Sequence, residues 1–419
     1  MKHPFRSVGE EGTQTGLAVC ETTSARRKAG LRRVMTQMLG GLLGSLVSWG
    51  AQAQTPLAPN ALPTGGQVSA GQAKISTSGA NMVIQQGSDR AAINWQSFNV
   101  GKDAQVQFQQ PGASSVALNR VMSSDPSLIF GRISSNGQVI LTNPAGVYFG
   151  KDARVDVGGI LATTHGISDA DFMAGKNRFE RNGSTGSVVN EGEIKSALGG
   201  YIALLAPEVR NQGAIIAQMG TVALAAGEAV ELKFDSNNRL TSIRVEPSQI
   251  QALVENRHAV QAPGGLIILS AQSMDRLVGG VVRNSGRIEA NGLQQQGGRI
   301  ILSASKKIEN TGTIAANATV GAQGGPAGKI ELSAPEVVNT GAMTATGTAA
   351  QSGGTLQVQA MQFTQTATGS VDLSAPSQGG ALSIQATDSV KLQGQVNVSA
   401  TQDNDSVNTA TSTTKGGQI

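Results

Sequence analysis

A repeated unit of short strands and glycine-rich corners constrains the fold of this chain most strongly. Each unit opens with Asn-x-Gly, passes through a short strand and a Gly-rich corner, and continues as Gly-x-Ile-x-Leu-x-Ala. Uninterrupted runs space the unit starts by 21, 26 and 29 residues, and the starts are Asn190, Asn211, Asn284, Asn310 and Asn339. A unit this small cannot bury its apolar face alone, so the units must stack on one another.

The stacked units predict an all-β fold, a parallel β-helix. Apolar residues alternate within each unit, as in Ile300, Leu302 and Ala304, which is the period of a strand with one buried face. Asn and Gly at the junctions are expected to supply left-handed or tight turns. At about one strand spacing per coil, we expect roughly fifteen coils and a rod on the order of 70 Å.

The two ends of the mature chain differ in composition. Nine aromatic residues fall between Trp95 and Tyr201, and we interpret this region as an N-terminal cap with the first coils, because an open end would expose strand edges. The segment from Phe234 to Val260 breaks the repeat. It predicts an extra-helical hairpin with an Asn-Asn turn, followed by a short helix that starts near Pro247.

The first 53 residues predict an export signal. A basic region precedes a short apolar segment that ends in Ala-Gln-Ala-Gln, which favours cleavage between Ala53 and Gln54 and argues against a stable membrane span. Removal of this leader leaves 25 basic and 25 acidic residues, so a nucleic-acid partner is not expected. Cys20 lies in the leader, so the mature chain contains no cysteine and no disulfide.

The stretch Leu141 to Gly159 combines a proline turn, two adjacent aromatic residues and a cluster of charged residues. It contains Asn143, Pro144, Ala145 and Gly146, an order typical of a type I turn at a corner between two strands. Tyr148 and Phe149 follow, and we expect them to thicken the capped end. The charged residues that come next predict a solvated face with Asp156 pointing outward, and they are Lys151, Asp152, Arg154 and Asp156.

No pattern in the chain favours catalysis. His165 lies near Asp169 and Asp171, but a metal site needs several converging ligands and the mature chain has two histidines. We therefore expect no catalytic, metal or cofactor-binding residue and no enzymatic activity. The alternative of a β-helical polysaccharide-degrading enzyme stays open, and it would require acidic or basic residues clustered on one exposed face.

Several segments together resemble a known family. They are INWQSFNVG, VQFQQPGASSVALNRV, SSNGQVILTNPAGVYFG, VDVGGILATT and GGYIALLAPEVRNQGAIIAQMGTVALAAGEAV. In this order they resemble the N-terminal secretion domain of two-partner secretion exoproteins, the filamentous-haemagglutinin-like adhesins, over Leu62 to Leu232. The resemblance implies a right-handed β-helix, export to the periplasm, and passage through a partner outer-membrane β-barrel transporter with periplasmic POTRA modules.

The resemblance also assigns a candidate site. The family's turn motif is Asn-Pro-Asn-Gly, which Asn143, Pro144 and Gly146 match and Ala145 departs from. These four residues are the predicted motif for secretion and transporter recognition. The family's upstream Asn-Pro-Asn-Leu motif is not evident, and Asp125 to Ser127 lies in its neighbourhood.

The sequence therefore predicts a secreted or cell-surface, adhesin-like exoprotein with four segments. Residues 1–53 are the signal peptide, 54–233 the secretion domain, 234–262 the extra-helical insertion, and 263–419 the repeat coils that start a longer rod. The secretion domain is expected to act as secretion signal and folding nucleus, and the partners are the transporter and a host-cell or carbohydrate receptor. A self-sufficient autotransporter would need membrane-barrel strands, which are not evident near Ile419.

Overall fold

The described part of the protein is a parallel β-helix, as the repeats predict. A computed structural model describes residues 57–275, 277 and 279–400; the leader and its cleavage site lie outside these residues. Each coil of the chain contributes strands to three faces, and strands of successive coils pair in parallel within each face. The helix Asp169–Met173 is far too short to cross a membrane, and no other described helix could do so.

The strands fall into three faces that follow one another around each coil. The first face contains Arg90–Trp95, Val116–Val121, Gln138–Thr142, Gly159–Thr163, Tyr201–Leu205, Thr221–Ala226, Leu266–Ala271, Arg299–Ala304, Lys329–Ser333 and the first halves of Thr355–Gln365 and Ala381–Leu392. The second face contains Ser127–Ile129, Val147–Phe149, Ser187–Asn190, Glu208–Asn211, Ala252–Asn256, Gly280–Asn284, Lys307–Asn310, Glu336–Asn339 and the second halves of those two long strands. The third face contains Asn81–Gln86, Gln105–Gln109, Arg132–Ser135, Arg154–Val157, Glu193–Ser196, Ala214–Ile216, Ala259–Gln261, Arg287–Glu289, Thr313–Ala315, Ala342–Thr344, Ser370–Asp372 and Gln395–Asn397.

The N-terminal end of the rod is closed by antiparallel strands. Gln67–Ala70 pairs with the first strand of the first face, and Ala73–Ser78 pairs with the first strand of the third face. Behind them, Trp95 and Phe98 pack edge to face with ring centroids 5.4 Å apart in the core. Antiparallel pairing ends the parallel stack, which supports the predicted cap.

The core is a column of inward side chains that alternate along each strand. Ile300, Leu302 and Ala304 are buried as the sequence predicts. The described residues form 11 strands on the first face, fewer than the fifteen coils expected, which gives a rod of about 50 Å. The difference arises because two excursions, at 164–186 and 227–251, use residues outside the coils.

Six buried asparagines form a ladder along the second face. In each step the Nδ2 of one asparagine donates to the Oδ1 of the next at 2.8 Å. The ladder contains the five predicted unit starts and one further residue, Asn256. The Asn-x-Gly pattern missed Asn256 because Arg257 and His258 follow it. The six residues are Asn190, Asn211, Asn256, Asn284, Asn310 and Asn339. Buried amides are costly unless hydrogen-bonded, so each of the six coils from Asn190 to Asn339 must present its asparagine in register.

The Asn-x-Gly glycines serve close approach rather than a left-handed backbone. None of them has a positive φ, so the expectation of left-handed turns there is wrong and the tight turn is correct. A Cβ on Gly312 would lie 2.1 Å from the carbonyl oxygen of Gly286 in the neighbouring coil. Glycine is therefore favoured at this corner because successive coils touch there, although His258 occupies the corresponding position after Asn256.

The extra-helical hairpin is present, but its bounds and its helix differ from the prediction. Ala229–Phe234 and Leu240–Glu246 form the hairpin, and Arg178–Glu180 adds a third antiparallel strand. We call these three strands the extra-helical sheet. No helix follows Pro247: Ala252–Asn256 is already a strand of the second face, because its parallel pairing on both sides satisfies its backbone.

His165 anchors the extra-helical sheet to the rod. Its side chain is fully buried, and Nε2 lies 3.0 Å from the carbonyl oxygen of Gly227, which begins the hairpin excursion. Its Nδ1 has no protein hydrogen-bond partner. Burial lowers the pKa of His165 from 6.5 to about 4, although the Gly227 carbonyl and the Glu228 carboxylate oppose that shift. The neutral imidazole is therefore the form that the folded protein holds.

Replacement of a central ladder residue should destabilise the rod. Asn256→Ala removes the donor to the Oδ1 of Asn284 and to the carbonyl of Arg287, so we expect the free energy of unfolding to fall by about 2–4 kcal/mol. Urea denaturation followed by circular dichroism measures this change. Asn237→Ala, at the exposed hairpin turn, is the control and should change stability by less than about 0.5 kcal/mol. Equal effects of the two variants would contradict the ladder's role.

Stability should fall on mild acidification because of His165. The unfolded imidazole takes up a proton near pH 6.5 and the folded one near pH 4, so stability is complete above pH 6.5 and is lost as the pH falls toward 4. The full difference is about 3 kcal/mol. We expect His165→Gln to remove this part of the pH dependence in urea titrations at pH 7 and 4.5. His258→Gln, at an exposed position, should keep it.

Candidate functional site

The predicted motif forms a turn at the corner between the first and second faces. Gln138–Thr142 is the first-face strand of this coil, and Val147–Phe149 is its second-face strand. Asn143 to Gly146 connects the two strands. The amide of Gly146 donates to the carbonyl of Asn143 at 3.0 Å, which closes the turn. Gly146 has a φ of 127°, a conformation that favours glycine. The structure thus agrees with the predicted corner between two strands.

Asn143 holds the turn from inside. Its side chain is fully buried, and Oδ1 accepts a hydrogen bond from the amide of Ala145 at 2.9 Å. Nδ2 donates to the carbonyl of Asp125 at 2.9 Å and to the Oγ of Ser127 at 3.0 Å. The amide group is fully used within the protein, so only Pro144, which is exposed, and Ala145, which is half-buried, face solvent.

The turn is held between the same corners of the coils before and after it. Asp125 to Ser127, which the sequence singled out only as a departure from a family motif, is the preceding corner that accepts the bonds of Asn143. On the other side, the Oγ of Ser184 donates to the carbonyl of Pro144 at 2.7 Å. Ser184 lies in the 164–186 excursion, and no local pattern pointed to it, because the contact bridges 40 residues of chain.

Tyr148 and Phe149 lie on opposite sides of one strand. Phe149 is buried in the core, in the register position that Asn190 occupies in the next coil. Tyr148 points outward and packs edge to face on Phe130, with ring centroids 5.8 Å apart. Partial burial and a hydrogen bond with Glu191 raise the pKa of Tyr148. Only Phe149 thickens the core as expected, whereas Tyr148 belongs to the outer surface beside the turn.

The charged residues after the turn face water, as predicted. Lys151, Asp152 and Arg154 are exposed, and Asp156 points outward from its strand between buried valines. In the next coil, Glu193 lies beside Arg154 and Lys195 beside Asp156, which pairs opposite charges along the third face. Exposed pairs of this kind contribute little to the free energy of unfolding, so these charges mainly keep the outer surface of the third face hydrated.

His165, Asp169 and Asp171 do not converge on a metal site. His165 is the buried anchor described above, Asp169 pairs with Arg120 at 2.8 Å, and Asp171 pairs with Lys176 at 2.7 Å. Nowhere in residues 57–275, 277 and 279–400 do three or more His, Cys, Asp or Glu side chains gather as metal ligands would. The two aspartates instead belong to the first turn of the short helix, where Ser168 caps Asp171.

Comparison with known proteins identifies the class of domain. The family model of the TPS (two-partner secretion) secretion domain matches residues 60–316. The match reaches past Leu232, where the resemblance of the motifs ended, and includes the extra-helical hairpin and the coils after it. It describes a secretion domain rather than an enzyme.

Three relatives agree with that match. Two proteins of Haemophilus influenzae named heme/hemopexin-binding protein are 32% and 31% identical, over 65% and 54% of this chain. The chain spans only 30% and 26% of their length. The crystal structure of the HMW1 secretion domain from Haemophilus influenzae superposes with a TM-score of 0.72 and 25% identity, and the likeness covers 81% of this chain and 91% of that one.

The described fold, the corner turn and the family match lead to one conclusion. Exoproteins with this domain are secreted across the outer membrane by a partner transporter. The family match covers more than half of the chain, so this protein belongs to the TPS secretion-domain family of two-partner secretion exoproteins.

Proposed function

We propose that this protein is an adhesin-like exoprotein, released or held at the cell surface, whose N-terminal domain is both secretion signal and folding nucleus. The observation that carries the proposal is continuity: the coils run in one register from the TPS domain through Asn397. A domain of this kind can guide export while its last coil serves as the template for the rod that follows. Residues 1–53 are proposed to direct the chain to the periplasm, with cleavage between Ala53 and Gln54.

The antiparallel cap supports the role of folding nucleus. Parallel coils need a closed first edge, and the pairing of Gln67–Ala70 and Ala73–Ser78 supplies one before any repeat is added. Growth from that edge is then one-dimensional, with each coil contacting its neighbours. Folding in this direction would follow the order in which the chain emerges from the transporter.

The corner turn is the proposed recognition motif of the transporter's POTRA modules. In the folded domain a partner can reach Pro144 and Ala145, whereas the amide of Asn143 is occupied by Asp125 and Ser127. Asn143 could be contacted directly only in a chain that has not yet folded. Of these two accessible residues, Ala145 is the one that departs from the family motif. An asparagine at this position could form an additional polar contact with the transporter.

The ligand of the exported protein is a separate question. The adhesin proposal favours a host-cell or carbohydrate receptor. The names of the two relatives favour a second candidate, binding of haem or hemopexin, supported by 32% identity over 65% of this chain. If the second candidate is correct, immobilised mature protein should bind hemopexin in surface plasmon resonance. If the first candidate is correct, the mature protein should bind host cells or the glycans of an array.

The export proposal is tested by expression with and without the cognate transporter. The protein should reach the medium or the cell surface only when the transporter is present, and it should remain in the periplasm otherwise. Immunoblots of medium, surface-digested cells and periplasmic extract measure the distribution. Equal export without the transporter would contradict the proposal.

Variants of the turn should separate recognition from stability. We expect Ala145→Asn to raise the exported fraction, because it restores the family's second asparagine. Asn143→Ala should lower export and also lower the free energy of unfolding by about 2 kcal/mol, since three hydrogen bonds are lost.

The control for the turn variants is Ser127→Ala, which removes one of the same hydrogen bonds without changing the turn sequence. If Ser127→Ala lowers export as much as Asn143→Ala at equal stability loss, the asparagine acts only through folding. If Asn143→Ala alone lowers export, its amide is read by the transporter.

A further inference from the structure

The outer surface of the first face is apolar in the early coils. Outward side chains of successive strands in this region are buried in a second cluster, separate from the core of the rod: Ala92, Leu118, Ile140, Leu161, Ala203 and Ala223. In later coils the equivalent outward positions are polar, as in Lys329, Glu331 and Ser333. The early part of this face is therefore built to be covered.

The cover comes from two segments that are far apart in the chain. The first excursion supplies Phe172 and Phe179, and the hairpin supplies Val230, Leu232 and Leu240; all five are buried in the second cluster. The face that they cover extends over six strands, from Arg90–Trp95 to Thr221–Ala226. The hairpin therefore follows all six strands in the chain, and it begins more than 60 residues beyond the first four of them.

The first segment cannot complete its structure without the second. Arg178–Glu180 is the outer strand of the extra-helical sheet, and its strand partner within the described residues is Ala229–Phe234. Phe179 lies opposite Val230 in that pair. Without the hairpin, the backbone pairing of this strand is limited to the bridge between Glu180 and Gly166, and its neighbours on the hairpin side are missing.

Polar contacts fasten the late segment to the early one. His165 contacts the carbonyl of Gly227 at 3.0 Å, and Arg181 pairs with Glu228 at 2.9 Å. Within the early segment, the guanidinium of Arg90 lies 5.1 Å from the ring centre of Phe172 and donates to the carbonyl of that residue at 3.0 Å. Arg90 thus joins the first strand of the rod to the helix.

We infer that residues 229–246 are a clasp: their docking on the outer first face is a discrete, late step that closes the secretion domain. Before docking, the early coils present an apolar face that the first excursion covers only in part, through Phe172 and Phe179. The inference rests on the proposed export function in one respect, that closure would end the period in which the domain can still be exported. The docking of the clasp itself does not depend on the proposed export function.

Native-state amide exchange of the full mature chain tests the clasp. Amides of Arg178–Glu180, Ala229–Phe234 and Leu240–Glu246 should exchange together, and faster than those of the ladder strands, because they open as one unit without unfolding the rod. Exchange of clasp and rod at one common rate would overturn the inference.

A charge placed under the clasp should open it selectively. Leu232 is 4% exposed and faces the rod, so Leu232→Glu should speed exchange of the clasp amides by about a hundred-fold and leave the ladder strands unchanged. Lys233→Glu, at the adjacent exposed position, should change clasp exchange by less than about three-fold. Leu232→Ala should give an intermediate effect. Equal acceleration in the rod would show that the hairpin is part of one cooperative unit and no clasp.

Refolding separates the clasp from its link to export. After dilution from urea, pulse labelling should protect the strands of the early first face before the clasp, with binding of an apolar dye in the interval. Clasp protection that appears first or simultaneously would refute late closure. Export of Leu232→Glu through the transporter is a separate readout: if exchange and refolding behave as expected but export does not change, the clasp stands and its role in export fails.

Discussion

The register between successive coils is the constraint on which the rest of this structure depends. Parallel pairing places like positions of each coil above one another, and the buried asparagines fix that register because each amide must meet the next at hydrogen-bond distance. Glycines at the adjoining corner allow the backbones to touch, as at Gly312. A coil that slipped by one residue would bury a polar side chain and expose an apolar one.

The same constraint explains where variation is permitted. The second and third corners of the early coils are short, whereas the first corner carries the Asn143 turn and both excursions. An excursion can leave and return at a corner without disturbing register, and Asn211 and Asn256 still meet across the whole hairpin. The turn and the extra-helical sheet are therefore neighbours in space: Ser184 of one excursion bonds Pro144 of the turn.

The features that repeat along the chain could be predicted from the sequence, whereas those that depend on a single distant contact could not. Alternation and the Asn-x-Gly starts predicted the fold, the inward residues and five of the six ladder positions. Asn256 was missed because His258 stands where the other units have glycine. The predicted helix after Pro247 was wrong because the segment was judged without the strands that pair with it on both sides.

The candidate site was predicted in position but not in its physical organisation. Asn143, Pro144 and Gly146 were found from local order, because a turn needs those residues at those places. The bonds to Asp125 and Ser127, and the burial of the Asn143 amide, follow from coil stacking and have no local signal. The shift in the pKa of His165 has the same origin, since the hairpin that buries it lies 62 residues away.

The most direct measurement of the account is export of a chain that lacks the secretion domain. Deletion of residues 62–232 behind an intact leader removes the cap, the turn and the early coils, whereas deletion of residues 317–400 removes only coils beyond the family match. With the partner transporter present, the account predicts that the first protein stays in the periplasm and the second reaches the medium or the cell surface. Export of the protein without residues 62–232 would contradict it.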